Sequence, residues 1–288
     1  MRLKASSFLG AVVIFVLFLS LAVSFTAMTA PKPIGSENFS PRITMEYSAE
    51  TSEFPDVEKV NLNLSLASGK VEVKPVEEEG LLYRLILEYS PSMEAPKVDR
   101  VVSGGEITLN VDQLSGSVEV QIASACTYSL QVQILNGTFS ASLDKNAKVE
   151  NLKVNLNSGV GSLSLLTGAS LENANLEAAS GIFTINIKTQ TLGCNSEISV
   201  DVGSGGVSVP KLKLGENVGV AFNVQVDSGT ISLNDEGLKP TKLTRSECSA
   251  STINYDSAKS KVQLNIHVKN GFAVLNGGFP LAGLGFST

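Results

Sequence analysis

Apolar and polar residues alternate strictly ahead of a Ser-Gly or Asn-Gly pair, and the pattern returns eight times along the chain. The pairs are Ser68-Gly69, Ser115-Gly116, Asn136-Gly137, Ser158-Gly159, Ser180-Gly181, Ser204-Gly205, Ser228-Gly229 and Asn270-Gly271. Five residues before each glycine stand Leu64, Val111, Val132, Val154, Leu176, Val200, Val224 and Ile266. Seven before stand Leu62, Leu109, Leu130, Leu152, Ala174, Ile198, Phe222 and Leu264; three before, only Gln113 interrupts an apolar set. The places between are polar. Four before the glycine stand Ser65, Asp112, Gln133, Asn155, Glu177, Asp201, Gln225 and His267. Period-two alternation of this kind predicts a strand with one buried face. Beyond the pair, apolar residues return at the second and fourth places, as in Val71 and Val73 or Phe183 and Ile185. Glycine suits the corner because it reaches positive φ without Cβ strain, and the neighbouring Ser or Asn can bond the local backbone.

Two architectures satisfy this pattern. Each pair could close a hairpin within one sheet. It could instead form an arch whose two arms enter different sheets, with successive units stacking in parallel as a solenoid. The glycines are separated by 47, 21, 22, 22, 24, 24 and 42 residues. Near-equal spacing favours the solenoid, because stacked rungs must be of equal length. The chain therefore reads as all-β, a parallel β-solenoid of about 22-residue rungs. The two doubled gaps contain weakly marked stretches, residues 77–104 and 236–250. The first holds the apolar run Leu81–Tyr89 and is read as an irregular rung or a capping hairpin, which an open solenoid end requires.

Residues 1–4 carry Arg2 and Lys4 and are followed by an uncharged run over residues 5–30. That run is long enough to cross a bilayer as one helix, which needs roughly 20 residues. It is expected to be an uncleaved transmembrane anchor, with a cleaved secretory signal as the alternative. The basic residues hold the short N-terminal tail in the cytoplasm and place the rest of the chain outside. The expected localisation is thus the cell membrane, single-pass, or secretion if the segment is cleaved. Residues 31–58 include Pro31, Pro33, Pro41 and Pro55 and read as an extended stalk; residues 59–276 form the solenoid. The uncharged, glycine-rich residues 277–288 seal the last rung or meet a partner or membrane. Asn38-Phe39-Ser40, Asn63-Leu64-Ser65 and Asn136-Gly137-Thr138 are glycosylation sequons.

In these repeats, for example Ala178-Ala179-Ser180-Gly181-Ile182-Phe183-Thr184-Ile185, the chain resembles the toast-rack family of exported, adhesin-labelled β-solenoid domains of unknown function. The resemblance spans about residues 60–276. It implies a right-handed stack of parallel strands at the cell envelope, often behind a membrane helix, and it supplies no catalytic residues.

Composition narrows the function further. With 17% charged residues and a net charge of −6, the chain has no basic footprint for nucleic acid. There is no Walker loop, dinucleotide fingerprint or metal motif. The three cysteines, Cys126, Cys194 and Cys248, match no metal spacing. Cys126 and Cys194 lie about three rungs apart, too far for a disulfide. Cys194–Cys248 or free buried thiols are the remaining readings. The sharpest chemical candidate is Glu177 with Asp201, neighbours in one polar column at about 5 Å if the rungs are in register, flanked by Asn155 and Gln225. Such carboxylates repel, which would favour a proton or a calcium-like cation between them, and retaining glycosidases use a similar separation. A solvent-facing polar sheet is the plainer reading, and no cofactor is expected. His267 closes the same column as a solvated histidine with no triad spacing.

The expectation for function is a non-enzymatic, membrane-anchored extracellular solenoid, adhesin-like or an envelope scaffold, binding protein or glycan on its polar face. The alternatives are a carbohydrate-active enzyme using the paired carboxylates, and an envelope-stress sensor that contacts partner membrane proteins.

Overall fold

The computed structural model describes residues 42–277. The apolar run at residues 5–30, the sequon at Asn38 and nearly all of the 277–288 tail lie outside the described residues. The elements are β1 (Ile43–Glu50), β2 (Lys59–Pro75), β3 (Leu81–Tyr89), β4 (Lys97–Ser103), β5 (Glu106–Ile122), β6 (Thr127–Leu143), β7 (Lys148–Leu166), β8 (Ser170–Thr189), β9 (Ser196–Val209), β10 (Lys213–Leu214), β11 (Val218–Leu233), β12 (Leu238–Leu243), β13 (Glu247–Thr252) and β14 (Ser260–Leu275). Among the described residues every element is a strand. The hairpin architecture is excluded. Each unit is one long strand that runs through its Ser-Gly or Asn-Gly corner and pairs in parallel, in register, with the units beside it. The all-β solenoid expectation holds in this form.

The corners stack glycine upon glycine. Gly159 has φ +150°, and a Cβ added there would sit 1.8 Å from the Gly137 carbonyl oxygen; one at Gly181 would sit 2.0 Å from that of Gly159. Neighbouring arches approach through bare backbone, which is why glycine recurs at every corner. The apolar columns of both arms meet inside. Val154, Leu156, Leu163 and Leu165 of β7 are each wholly buried, as are Phe183, Ile185 and Leu176 of β8.

The spatial order of the strands departs from chain order. It runs β1-β3-β5-β2-β6-β7-β8-β9-β14-β11-β13-β12, with β4 also on β5 and β10 on β8. The second unit, β5, lies outside the first, and the last, β14, is inserted between β9 and β11. The doubled gaps therefore contain no missing rung. They hold the caps. In the first gap β3 and β4 lie antiparallel on the two arms of β5, and β1 covers β3. In the second, β13 lies antiparallel on the first arm of β11, and β12 covers β13. After β5 the chain must pass β2 to begin β6, a step of two strand spacings, about 10 Å. The four residues 123–126 span it, within the reach of about 3.3–3.6 Å per residue. Tyr128 holds this crossing: its hydroxyl accepts from Ala123 N at 2.9 Å and donates to the Leu82 carbonyl at 2.6 Å.

One sequence expectation is corrected, one exception in the pattern is explained, and one open reading is settled. Residues 43–50, assigned to the stalk, form β1, because alternate residues reach the cap's buried face while Glu46 and Glu50 stay outside. Gln113, the polar exception in an apolar column, is only 5% exposed and sits where no further arch stacks. Its amide nitrogen instead donates to the carbonyls of Glu88 in β3 at 2.9 Å and Ser115 at 3.0 Å. All three cysteines are thiols, so the Cys194–Cys248 bridge does not form; burial raises the pKa of Cys126 and Cys248.

At the other end Asn276 replaces an arch with a side-chain staple. It is buried at φ +52°, a left-handed conformation that Asn tolerates better than most residues. It accepts from Leu212 N at 3.0 Å and donates to the carbonyls of Asn234 at 3.1 Å and Glu236 at 2.9 Å. This ties the loop after β9 to the corner after β11, on either side of the inserted β14.

Candidate functional site

The polar columns of the first arm form a continuous outer face. Read across the sheet, the column four before the glycine is Asp112, Ser65, Gln133, Asn155, Glu177, Asp201, His267 and Gln225. Glu177 and Asp201 are register partners, one strand spacing apart, and Asn155 stands beside Glu177 as the sequence implies. Gln225 does not stand beside Asp201. The insertion of β14 puts His267 there and moves Gln225 one rung out.

That insertion changes the chemistry of the column. Glu177 accepts from Asn175 Nδ2 at 2.9 Å and from Asn155 Nδ2 at 3.4 Å. Asp201 turns the other way, its Oδ2 lying 3.3 Å from His267 Nδ1. The two carboxylates thus have separate partners. His267 Nε2 lies 3.1 Å from Asp227 Oδ2, and Asp227 Oδ1 accepts from Gln225 Nε2 at 2.9 Å. The imidazole bridges carboxylates from the rungs on both sides, β9 and β11. The solvated-histidine expectation is corrected: the ring keeps about a third of its surface but both nitrogens are engaged. Neutral imidazole has one N–H and can donate to one carboxylate, whereas imidazolium donates to both. The bond to Asp227 accordingly raises the His267 pKa above its ordinary value, with Asp201 adding to it against partial burial. Asp227 is lowered, by Gln225 and then His267.

The flanking column carries an amide ladder. Asn223 Nδ2 donates to Asn265 Oδ1 at 3.2 Å, Asn265 Nδ2 to Glu197 at 3.1 Å, and at the far end Asn63 Nδ2 to Asn110 at 2.9 Å. The C-terminal cap rises beside this face. Glu247 and Ser249 of β13, the register partners of Gln225 and Asn223, and Lys242 of β12, which pairs with Glu247, line the side of the face at that end. Face and cap residues bound a trough of about 870 Å³, with Glu177, Asp201 and His267 on its floor. A smaller hollow of about 260 Å³ lies at the other end, lined by Glu94, Lys97, Ser65, Asp112 and Gln133 among others. Among the described residues no three His, Cys, Asp or Glu side chains gather as ligands for one metal ion. What the trough offers is a row of carboxylates and amides around one titratable ring, suited to binding polar ligands.

His267 is the only histidine in the chain, so its titration is directly readable by NMR. Asp227→Asn is expected to lower the His267 pKa, and Asp201→Asn to lower it less. The sign for stability follows. The raised histidine contributes below its unfolded value, near 6.5, and loses that contribution as pH rises through its folded pKa. Asp227 contributes above about 3.8 and loses it as pH falls through its depressed value. The β9–β14–β11 link is therefore tightest between those limits. An unchanged His267 titration in Asp227→Asn would refute the coupling.

No protein-family model matches the chain, and no curated protein matches it. Its fold is similar to the solved structure of a putative cell adhesion protein from Clostridium sporogenes ATCC 15579. The likeness has 16% identity and a TM-score of 0.55 over 82% of this chain and 99% of that one. Two further solved structures match over 82% of this chain. One is a putative adhesin from Bacteroides fragilis NCTC 9343, with 12% identity, 97% of that chain and TM-score 0.28. The other is a putative adhesin from Parabacteroides distasonis ATCC 8503, with 11% identity, 98% of that chain and TM-score 0.27. The Clostridium likeness is one of fold, of the kind the toast-rack resemblance implies.

Proposed function

We propose that this chain is a non-enzymatic, adhesin-like binding protein, held at the cell surface by residues 5–30 and recognising a protein or glycan ligand with its first-arm polar face. The observation that carries this reading is the trough: an in-register array of carboxylates and amides, bounded at one end by residues of the C-terminal cap. Binding fits the site better than catalysis, because Glu177 and Asp201 are held by different neighbours and neither is poised against the other. The description of the Clostridium protein as a cell adhesion protein points in the same direction. Export is supported by the basic residues that precede the apolar run.

The test is binding of the full chain to immobilised glycans and to surface-protein extracts. The Glu177→Gln, Asp201→Asn double variant, whose changes lie on the outer face, is expected to lose at least about tenfold in affinity, which corresponds to about 1.4 kcal/mol. Its circular dichroism should be unchanged. Turnover of a polysaccharide by the wild type, abolished in the same variant, would replace this reading with the carbohydrate-active one. Fractionation of cells with and without detergent tests the anchor.

A further inference from the structure

The outer face of the second arm loses its alternation at two adjacent rungs. Three places after each corner glycine the side chain points outward. Across the sheet this column reads Glu119, Glu72, Ser140, Ser162, Thr184, Ser208, Val274 and Ser232. Ser140, Ser162 and Thr184 are half-buried and Ser232 is exposed, whereas Ser208 and Val274 are each only 5% exposed. Neighbours within the sheet do not account for this, because Ser140, Ser162 and Thr184 also have a rung on both sides. Ser208 and Val274 have a cover that the other rungs lack.

The same rungs carry an apolar patch on a face that is otherwise polar. Val274 stands in a column of hydroxyls and carboxylates. Two residues nearer the corner, the Phe272 ring lies over Gly206, where an added Cβ would come within 2.6 Å of it, and Ile182 follows Gly206 in register. Toward the N-terminal end the face is charged, with Lys70, Glu72, Lys74 and Glu119 in ion pairs. The described chain ends at this patch. After Leu275 the backbone turns at Asn276, φ +52°, and a Cβ built on Gly277 would stand 4.0 Å from Val274 Cγ1 and 3.7 Å from Asn234 Cβ. The Val274 side chain points outward, so the chain departs along the outer face. Residues 278–288 are uncharged, with Phe279, Leu281, Leu284 and Phe286 as their large apolar side chains.

We infer that residues 278–288 fold back over the outer face of the second arm and form this cover, with Phe279 and Leu281 on Val274, Phe272 and Ser208. Position and composition select this segment. It begins against the patch, and Gly277 and Gly278 permit a sharp reversal. Its apolar side chains match the apolar part of the face, so that both surfaces leave water together. Reach is ample: from Val274 across Ser208 to Thr184 is two strand spacings, about 10 Å, and an extended chain covers about 3.3–3.6 Å per residue. The cover bridges β14 to β9 on the second arm as His267 does on the first, and so latches the inserted rung from both sides. It is separate from the polar trough and stands or falls independently of what the trough binds.

The test is maleimide labelling of the full chain carrying Ser208→Cys. Ser232→Cys, on the exposed neighbouring rung, is the reference, and the unsubstituted chain gives the background from Cys126, Cys194 and Cys248. The thiol introduced at 208 is expected to react at least about tenfold more slowly than the one at 232, as a covered site opens only part of the time. Phe279→Asp with Leu281→Asp in the full chain should remove the difference, as should ending the chain at Gly277, with labelling at 232 and circular dichroism unchanged. Three results would overturn the inference. Equal labelling at 208 and 232 in the full chain means that nothing covers the patch. Slow labelling at 208 that persists in both the double variant and the shortened chain assigns the cover to other residues, such as 210–217. Slow labelling that disappears on dilution makes a second copy the occupant.

Discussion

Gly159→Ala is expected to destabilise the domain by roughly 3–5 kcal/mol, at the upper end of what single substitutions do. The new methyl would stand 1.8 Å from the Gly137 carbonyl oxygen, at a φ of +150° that L-residues avoid. Neither can be relieved locally. The oxygen belongs to the adjoining arch, which is itself locked to Gly69 on its other side, so a shift at one corner propagates along the column. Gly237 is the control. It too has positive φ, +77°, but nothing lies within 4 Å of its added Cβ, and Gly237→Ala should cost only about 1 kcal/mol. Urea unfolding of the two variants checks the contrast. Equal losses would mean that the corners are held by conformation alone and not by backbone contact between rungs.

Phe183→Ala is the second large effect expected, about 3–5 kcal/mol. Phe183 is wholly buried in β8, and its ring lies over Gly161 of β7; a Cβ at Gly161 would come within 2.0 Å of Phe183 Cε1. On the other side of Gly161 stands Phe139 of β6, also buried. The column is therefore large, absent, large, and the glycine's missing side chain is the space the ring fills. Gly161→Ala alone should cost about 1–3 kcal/mol through overpacking. Combined with Phe183→Ala it should cost less than the sum, by 0.5 kcal/mol or more, because the methyl then enters the vacated volume. Strict additivity in denaturation measurements would show that the two positions do not share that space.

Both effects trace to positions visible as columns in the sequence, and this marks how far the sequence reads. The eight corners, the buried and exposed faces of each strand, and the pairing of Glu177 with Asp201 all follow from period-two alternation and equal spacing. Each is a local property, repeated with little change from one unit to the next. The same uniformity conceals the order of the rungs. A strand such as Val218–Leu233, with alternate apolar residues and a corner, fits against any other rung equally well, so its pattern does not say which neighbour it takes.

That choice is made by the caps and connections. Four residues suffice to carry the chain from β5 past β2 to β6, and the long excursion through β12 and β13 returns β14 to the slot beside β9. His267 shows the consequence. In chain order it ends the column; in space it stands between Asp201 and Gln225 and reaches Asp227 as well. What the sequence determined by itself was the rung: its corner, its two faces and its length, because these depend on residues a few positions apart. What only the tertiary structure decided was the adjacency of rungs, and with it the partners of His267 and the displacement of Gln225 from Asp201. Those depend on which rungs close over the ends of the core, a property of the whole stack that no single repeat encodes.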